Sequence, residues 1–161
     1  MLLGLGYDIH RLVDNRKLVM GGVLFDTTYG LAGHSDADVV LHAVCDALLG
    51  ASALGDIGEH FPDTDPKWKG VSSEIITERI ITLVKKEGYN VNNIDVNIIA
   101  ERPKISSRKI NIKENIAKLL DVDAKRVNVK AKTNEGLDAI GRGEAISSQV
   151  IVSLNENRKN I

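Results

Sequence analysis

Between Val39 and Leu49 the chain carries an apolar run with charge along one side. Val40, Val44, Ala47 and Leu48 recur at the spacing of a core-facing helical stripe. Asp38, His42 and Asp46 follow at intervals of four, so on a helix they share one face. A polar stripe on an apolar helix is costly to bury unless something pairs with it. The expected partner lies near the N-terminus. Leu2 to His10 reads as a strand, and Asp8 and His10, two apart, leave it on the same face. Strand and helix together would present Asp8, His10 and His42 to one metal ion. The competing reading makes His10 a strand-end histidine and His42 a hydrogen-bonded core histidine, and spacing alone does not choose. Asp46, one turn beyond His42, would either orient the imidazole or face substrate or solvent.

At 161 residues, 43% hydrophobic and 27% charged, the chain fits a single domain, residues 1–161, with enough apolar side chains for a core. A net charge of −1 argues against a nucleic-acid or membrane surface held by bulk electrostatics. No apolar run approaches the roughly 20 residues that span a bilayer. The start, Met1 to Gly6, lacks the basic flank of a secretory signal, and no transit peptide is evident, which points to a bacterial cytoplasm rather than a plastid. Cys45 has no second cysteine to pair with, so it reads as a small buried hydrophobe in a reducing compartment.

In chain order, Arg16 to Phe25 predicts a hairpin turning near Gly21-Gly22. The helix from Val39 ends at Gly50 or just beyond. Gly55 to Pro66, dense in Gly, Pro and Asp, reads as loop. Val71, Ile75, Ile76, Ile80, Leu83 and Val84 mark a second helix closed by Gly88. Ile94, Val96 and Ile98 alternate as a strand, and Pro103 breaks the chain before a third helix carrying Ile112, Ile116, Leu119 and Leu120. Val127, Val129 and Ala131 form another strand, Thr133 to Gly143 a loop, and Ala145 to Leu154 the last strand. This order gives two helix-containing crossovers in a small mixed sheet, an α/β (α+β) domain with its helices packed on one face. The other face needs cover, and a partner subunit is the simplest cover.

Two histidines and a carboxylate leave a tetrahedral zinc one ligand short, the arrangement of catalytic rather than structural zinc. A second cluster, Lys130-Ala131-Lys132-Thr133-Asn134-Glu135, ends a strand with a hydroxyl and a carboxylate two residues apart. That pair suits a phosphate oxygen and a divalent cation, although a polar exit from a strand has the same look.

Gly6-Tyr7-Asp8-Ile9-His10, His34-Ser35-Asp36-Ala37-Asp38-Val39, Asp46-Ala47-Leu48-Leu49-Gly50-Ala51, Gly55-Asp56-Ile57-Gly58, Phe61-Pro62-Asp63-Thr64-Asp65-Pro66 and Gly141-Arg142-Gly143-Glu144 resemble, in this order, segments of the 2-C-methyl-D-erythritol 2,4-cyclodiphosphate synthases. The resemblance runs from about residue 2 to residue 154. It implies an enzyme of the non-mevalonate isoprenoid pathway acting on 4-diphosphocytidyl-2-C-methyl-D-erythritol 2-phosphate. The 2-phosphate attacks the β-phosphorus, expels CMP and closes a cyclic diphosphate, so no protein nucleophile is needed. It also implies zinc on Asp8, His10 and His42, with magnesium or manganese held with the help of Glu135. His34 and Thr133 would stabilise charge in the transition state, and backbone N–H groups where His34-Ser35 precedes the helix would favour a phosphate.

By the same resemblance Asp56, Ile57 and Gly58 meet the methylerythritol hydroxyls, with Phe61, Pro62, Asp63, Thr64 and Asp65 as the wall beside them. Ala100, Glu101, Arg102, Pro103, Lys104, Ile105 and Ser106 join Ala131, Lys132 and Thr133 around the cytidine. The implied substrate contacts also take in Asp46, Asn134, Ala139 and Arg142. The family assembles as homotrimers with active sites between subunits, and a central cavity in some members takes an isoprenoid diphosphate near Arg142. An ion pair with Glu144 is a plainer role for Arg142. Departures fall away from the metal ligands: Leu137-Asp138-Ala139-Ile140 stands where many relatives have a Gly-Phe pair, and Lys132 where threonine is common. Two other classes fit parts of the pattern, a metal-dependent phosphohydrolase and a non-catalytic trimeric binder of isoprenoid diphosphates.

Overall fold

The even-numbered residues at the start of the chain turn inward and the odd-numbered ones outward, which is what a strand with one covered face requires. The computed structural model describes residues 1–157 except Asp63 and Lys69. In it β1 (Leu2–Asp14) buries Gly4 and Gly6 and exposes Leu3, Leu5, Tyr7 and Ile9. It runs four residues past the expected end at His10, because Leu12, Val13 and Asp14 pair with a short strand from further along the chain. Between them β2 (Leu18–Met20) and β3 (Val23–Phe25) form the predicted hairpin. Its turn residues Gly21 and Gly22 both have positive φ, 60° and 75°, as a two-residue hairpin turn demands. β1's partner is β4 (Tyr29–Leu31), which the sequence did not signal because three residues cannot display an alternation.

α1 (Val39–Ala51) is capped by the Asp38 carboxylate, which accepts from Val40 N and Leu41 N. α2 (Ile57–His60) lies inside the stretch read as loop, and a 3₁₀ turn at Pro66–Trp68 starts at its last residue. The second long helix, α3 (Ser73–Lys86), starts later than its apolar stripe suggested: Val71 precedes it, and Ile75 points outward. Then follow β5 (Tyr89–Ile99), α4 (Lys109–Leu120), β6 (Val127–Lys132), α5 (Asp138–Gly141) and β7 (Ala145–Glu156). α5 is a single turn within the other predicted loop. One-turn helices in Gly- and Asp-rich stretches carry no period for a sequence reading to find.

The five-stranded sheet has the order β4-β1-β7-β5-β6. β5 and β6 run parallel, joined through α4, and every other neighbouring pair is antiparallel. α1 lies across β1 and β7 with α3 beside it, and α4 covers β6. The three helices therefore occupy one face, as expected. α1 approaches β1 to backbone contact. A Cβ on Gly4 would stand 2.0 Å from the Ala47 carbonyl oxygen, and one on Gly6 1.9 Å from that of Ala43. On the opposite face, Leu3, Leu5, Tyr7, Ile9 and Ile151 remain exposed. Among the described residues no helix is long and apolar enough to cross a membrane.

Candidate active site

Close packing of α1 on β1 sets the distance between the helix stripe and the strand pair. Asp8 Oδ2 lies 2.8 Å from His10 Nε2 and 3.0 Å from His42 Nδ1, and the two nitrogens are 3.1 Å apart. Among the described residues, this trio is the group of metal-type ligands whose atoms gather within 4.8 Å of one another. His10 Nδ1 is 2.6 Å from the Ala32 carbonyl oxygen. A carbonyl only accepts, so Nδ1 carries the proton and Nε2 turns its lone pair toward the Asp8 carboxylate. Such facing acceptors need a proton or a metal cation between them. Two imidazole nitrogens and one carboxylate oxygen with room for a fourth ligand suit zinc.

With no cation present, burial would push the Asp8 carboxyl up, but hydrogen bonds from His10 and His42 outweigh it and hold the group well below the usual carboxylate range. Burial likewise disfavours a charged His10, and the neighbouring Asp8 reverses that and raises it.

The fold bears on two expectations around α1. Asp46 does not orient His42: its Oδ1 accepts the Ile57 N–H at 2.9 Å and so anchors the start of α2. Burial raises the Asp46 carboxyl, and Asp56 and Asp8 nearby add to that against the Ile57 bond. The backbone N–H groups foreseen as a phosphate cradle are mostly engaged inside the fold. Ala37 N donates to Ser35 Oγ, Asp38 N to Asp36 Oδ1, and Asp36 N to the Val71 carbonyl. Asp38 is fully buried, and its carboxylate takes Gly21 N and Gly22 N as well as the first turn of α1. The segment His34-Ser35 is held from outside, by Arg16 donating to the Gly33 and Ser35 carbonyls at 2.9 and 2.6 Å and by Gly70 N donating to the His34 carbonyl.

A cavity of about 420 Å³ opens at the trio, within the range of small-molecule sites. His10, His34, Ser35 and His42 form its polar end, and Ile57, Gly58, Phe61, Pro62, Thr64, Trp68 and Ile76 its walls. Asp56 caps α2 through Glu59 N, and Asp65 pairs with Lys67. Asp63 lies outside the described residues. Trp68 and Ile76 had not been foreseen. Trp68 stands edge-on to Phe61 at 4.8 Å, and it is the one tryptophan of the chain, in a stretch of turn residues, which was the available signal.

The second cluster stands elsewhere. Asp8 pairs with Ser148, Ser148 with Ile98, and Ile98 with Ala131. Three strand spacings separate Asp8 from Ala131, about 14 Å. No residue from 100–106 or 131–142 lines the cavity. Thr133 Oγ1 donates to Glu135 Oε1 at 2.6 Å, and Glu101 Oε1 fixes this turn by accepting from Asn134 N and Gly136 N. Ala100 and Ile105 are buried, while Lys104, Ser106 and Lys132 are exposed. Arg102 stacks over the Tyr29 ring at 4.5 Å, just before Pro103. Arg142 makes the plainer contact foreseen for it, Nε to Glu144 Oε1 at 2.9 Å, and Ala139 sits half-buried in α5.

Residues 1–155 match the model of the YgbB family. A Clostridium perfringens protein named 2-C-methyl-D-erythritol 2,4-cyclodiphosphate synthase is 55% identical over 154 residues, covering 96% of this chain and 99% of its own length. A Trichlorobacter lovleyi protein of the same name is 53% identical over 154 residues, with 96% and 98% covered. Among solved structures, the bifunctional IspDF from Campylobacter jejuni superposes with a TM-score of 0.93 at 42% identity, over 96% of this chain and 42% of that one. The chain thus spans less than half of that bifunctional protein. A 2C-methyl-D-erythritol-2,4-cyclodiphosphate synthase with CDP bound superposes with a TM-score of 0.88 at 35% identity, over 95% of this chain and 99% of its own. Matched along nearly its whole length, and folded as these relatives are, the chain belongs to the YgbB family.

Proposed function

We propose that this chain is a cyclodiphosphate synthase: it converts 4-diphosphocytidyl-2-C-methyl-D-erythritol 2-phosphate into 2-C-methyl-D-erythritol 2,4-cyclodiphosphate and CMP, in the non-mevalonate isoprenoid pathway. The observation that carries this reading is the convergence of Asp8, His10 and His42, with both histidines lining the polar end of a cavity of substrate size. The family membership gives that convergence its chemistry. One P–O bond forms between the 2-phosphate and the β-phosphorus, and the bond to CMP breaks. Both reacting groups belong to the substrate, so no protein nucleophile is needed. Cys45 is buried and its thiol is pushed up to about 12, chiefly by burial, which suits it to packing.

Asp8, His10 and His42 would hold zinc, and Glu135 would help hold magnesium or manganese. Such cations supply Lewis-acid polarisation of phosphoryl oxygens. The chain's own residues fold the substrate back on itself and balance phosphate charge, the main burden in phosphoryl transfer. His34 and Ser35 do so at the mouth of the trio, and Thr133 from the second cluster. Asp56, Ile57, Gly58, Phe61, Pro62, Asp63, Thr64 and Asp65 enclose the methylerythritol, and the segments 100–106 and 131–135 enclose the cytidine.

A homotrimer completes this reading. The distance of about 14 Å between the rows of Asp8 and Ala131 favours a neighbour's Thr133 and Glu135 serving each trio. The exposed Leu3, Leu5, Tyr7, Ile9 and Ile151 give the far sheet face a reason to be covered. The bacterial relatives favour a cytoplasmic setting. The test is direct. Purified protein with the substrate and magnesium should release CMP and a cyclic diphosphate, read by phosphorus NMR and mass spectrometry. An acyclic product would instead make it a hydrolase.

A further inference from the structure

Beyond the trio, His42 has a second ring nitrogen that the family chemistry leaves unassigned. Nε2 lies 3.0 Å from Ser73 Oγ and 3.1 Å from Ser35 Oγ. Ser73, the first residue of α3, is fully buried. Both its donors are turned onto one carboxylate: its hydroxyl to Asp36 Oδ1, and its backbone N–H to Asp36 Oδ2 at 3.1 Å. The proton of Ser73 Oγ is therefore committed to Asp36, and toward His42 the same oxygen has only lone pairs to offer. Donation to a carboxylate also makes that oxygen a better acceptor than the Ser35 hydroxyl, whose other contact is the neutral N–H of Ala37.

We infer that Asp36 and Ser73 are a positioning pair that holds the His42 proton on Nε2 when a cation occupies the trio, so that Nδ1 turns its lone pair to that cation. The direction of every hydrogen bond follows: His42 Nε2–H to Ser73 Oγ, and Ser73 Oγ–H to Asp36. The pair fixes the ring plane as well as the tautomer, because Ser73 is held at two points. It also leaves the Ser35 hydroxyl, which lines the cavity, available to a bound ligand. The inference rests on the trio being a metal site, and it adds residues that neither touch the metal nor the substrate.

The test is zinc affinity of the purified, metal-free full-length protein, by competition with a chromophoric chelator, alongside ¹⁵N NMR of His42. Partners of this kind typically contribute about 10–100-fold in metal affinity. Ser73→Ala and Asp36→Asn should each weaken zinc by at least about tenfold, and Ser73→Thr should recover most of it. In the zinc-loaded wild type the His42 Nε2–H should show as a hydrogen-bonded proton protected from exchange, and in Ser73→Ala it should exchange freely. A purely structural role would lower the unfolding midpoint without changing that exchange. If Ser73→Ala does not fold, Asp36→Asn decides, since it keeps the shape and removes one of the two acceptors. Zinc binding within threefold of wild type in the folded variants overturns the pair. Wild-type protein that binds no zinc overturns the metal site itself, and the pair with it.

Discussion

Of the residues in the trio, His42 has the most to lose. It reaches Asp8 and His10 from another element, so no neighbour in sequence can replace it. His42→Ala should abolish stoichiometric zinc and nearly all turnover while the fold persists, checked by elemental analysis, circular dichroism and product assay. Glu135→Gln should leave zinc in place and raise the magnesium concentration needed for turnover, read from a magnesium titration. The trio also predicts how the metal-free chain responds to pH. Asp8 is held below its ordinary 3.8, so its contribution is full above that value and fades as pH falls through the lowered one. His10 is raised above its ordinary 6.5, so its contribution is full below that value and fades as pH rises through the raised one. Thermal unfolding in chelator should show greatest stability between 3.8 and 6.5 from this pair. Zinc should add stability mainly above that window, since protons compete for the same nitrogens below it.

Among the elements, β1 and α1 were the most legible. Alternation fixed which face of β1 carries Asp8 and His10, and a four-residue step put His42 on the stripe that meets them. Two roles stood open for Asp46, and its bond to Ile57 was legible in neither, because a step along a helix says nothing about a chain segment folding back onto it. The Asp36–Ser73 contact was unreadable for the same reason: it joins residues 37 apart. Asp38 ties two elements at once, taking four backbone N–H groups from the β2–β3 turn and from α1. Asp38→Ala removes a helix cap, about 0.5–2 kcal/mol, and leaves buried donors unpaired, about 1–3 kcal/mol each. It should lower stability by about 3 kcal/mol or more on this count, measured by urea unfolding. Gly6→Ala should lift α1 from β1, because its Cβ has no room beside the Ala43 carbonyl. Weaker zinc binding along with lower stability is the expected result.

For the molecule as a whole, helices packed on one side of the sheet left the other side in need of cover, and that face carries a row of apolar side chains. On the trimeric reading no single chain holds a complete site, since its second cluster sits three strands from the first. Leu5→Asp places a charge in the middle of that row, opposite Ile151. Light scattering should then report a monomer in place of a trimer, with turnover lost and zinc still bound. Retained turnover in a monomer would mean that one chain is sufficient.

β1 is a ribbon printed on both sides. One side is read by α1 and its His42, the other by whatever lies across the far face, and the two texts are interleaved residue by residue. Slipping the ribbon one place against β7 would turn both pages at the same moment, sending Asp8 and His10 outward and Tyr7 and Ile9 in. Catalysis and assembly thus share a single alignment, and a mutation that disturbs it has to show itself in both.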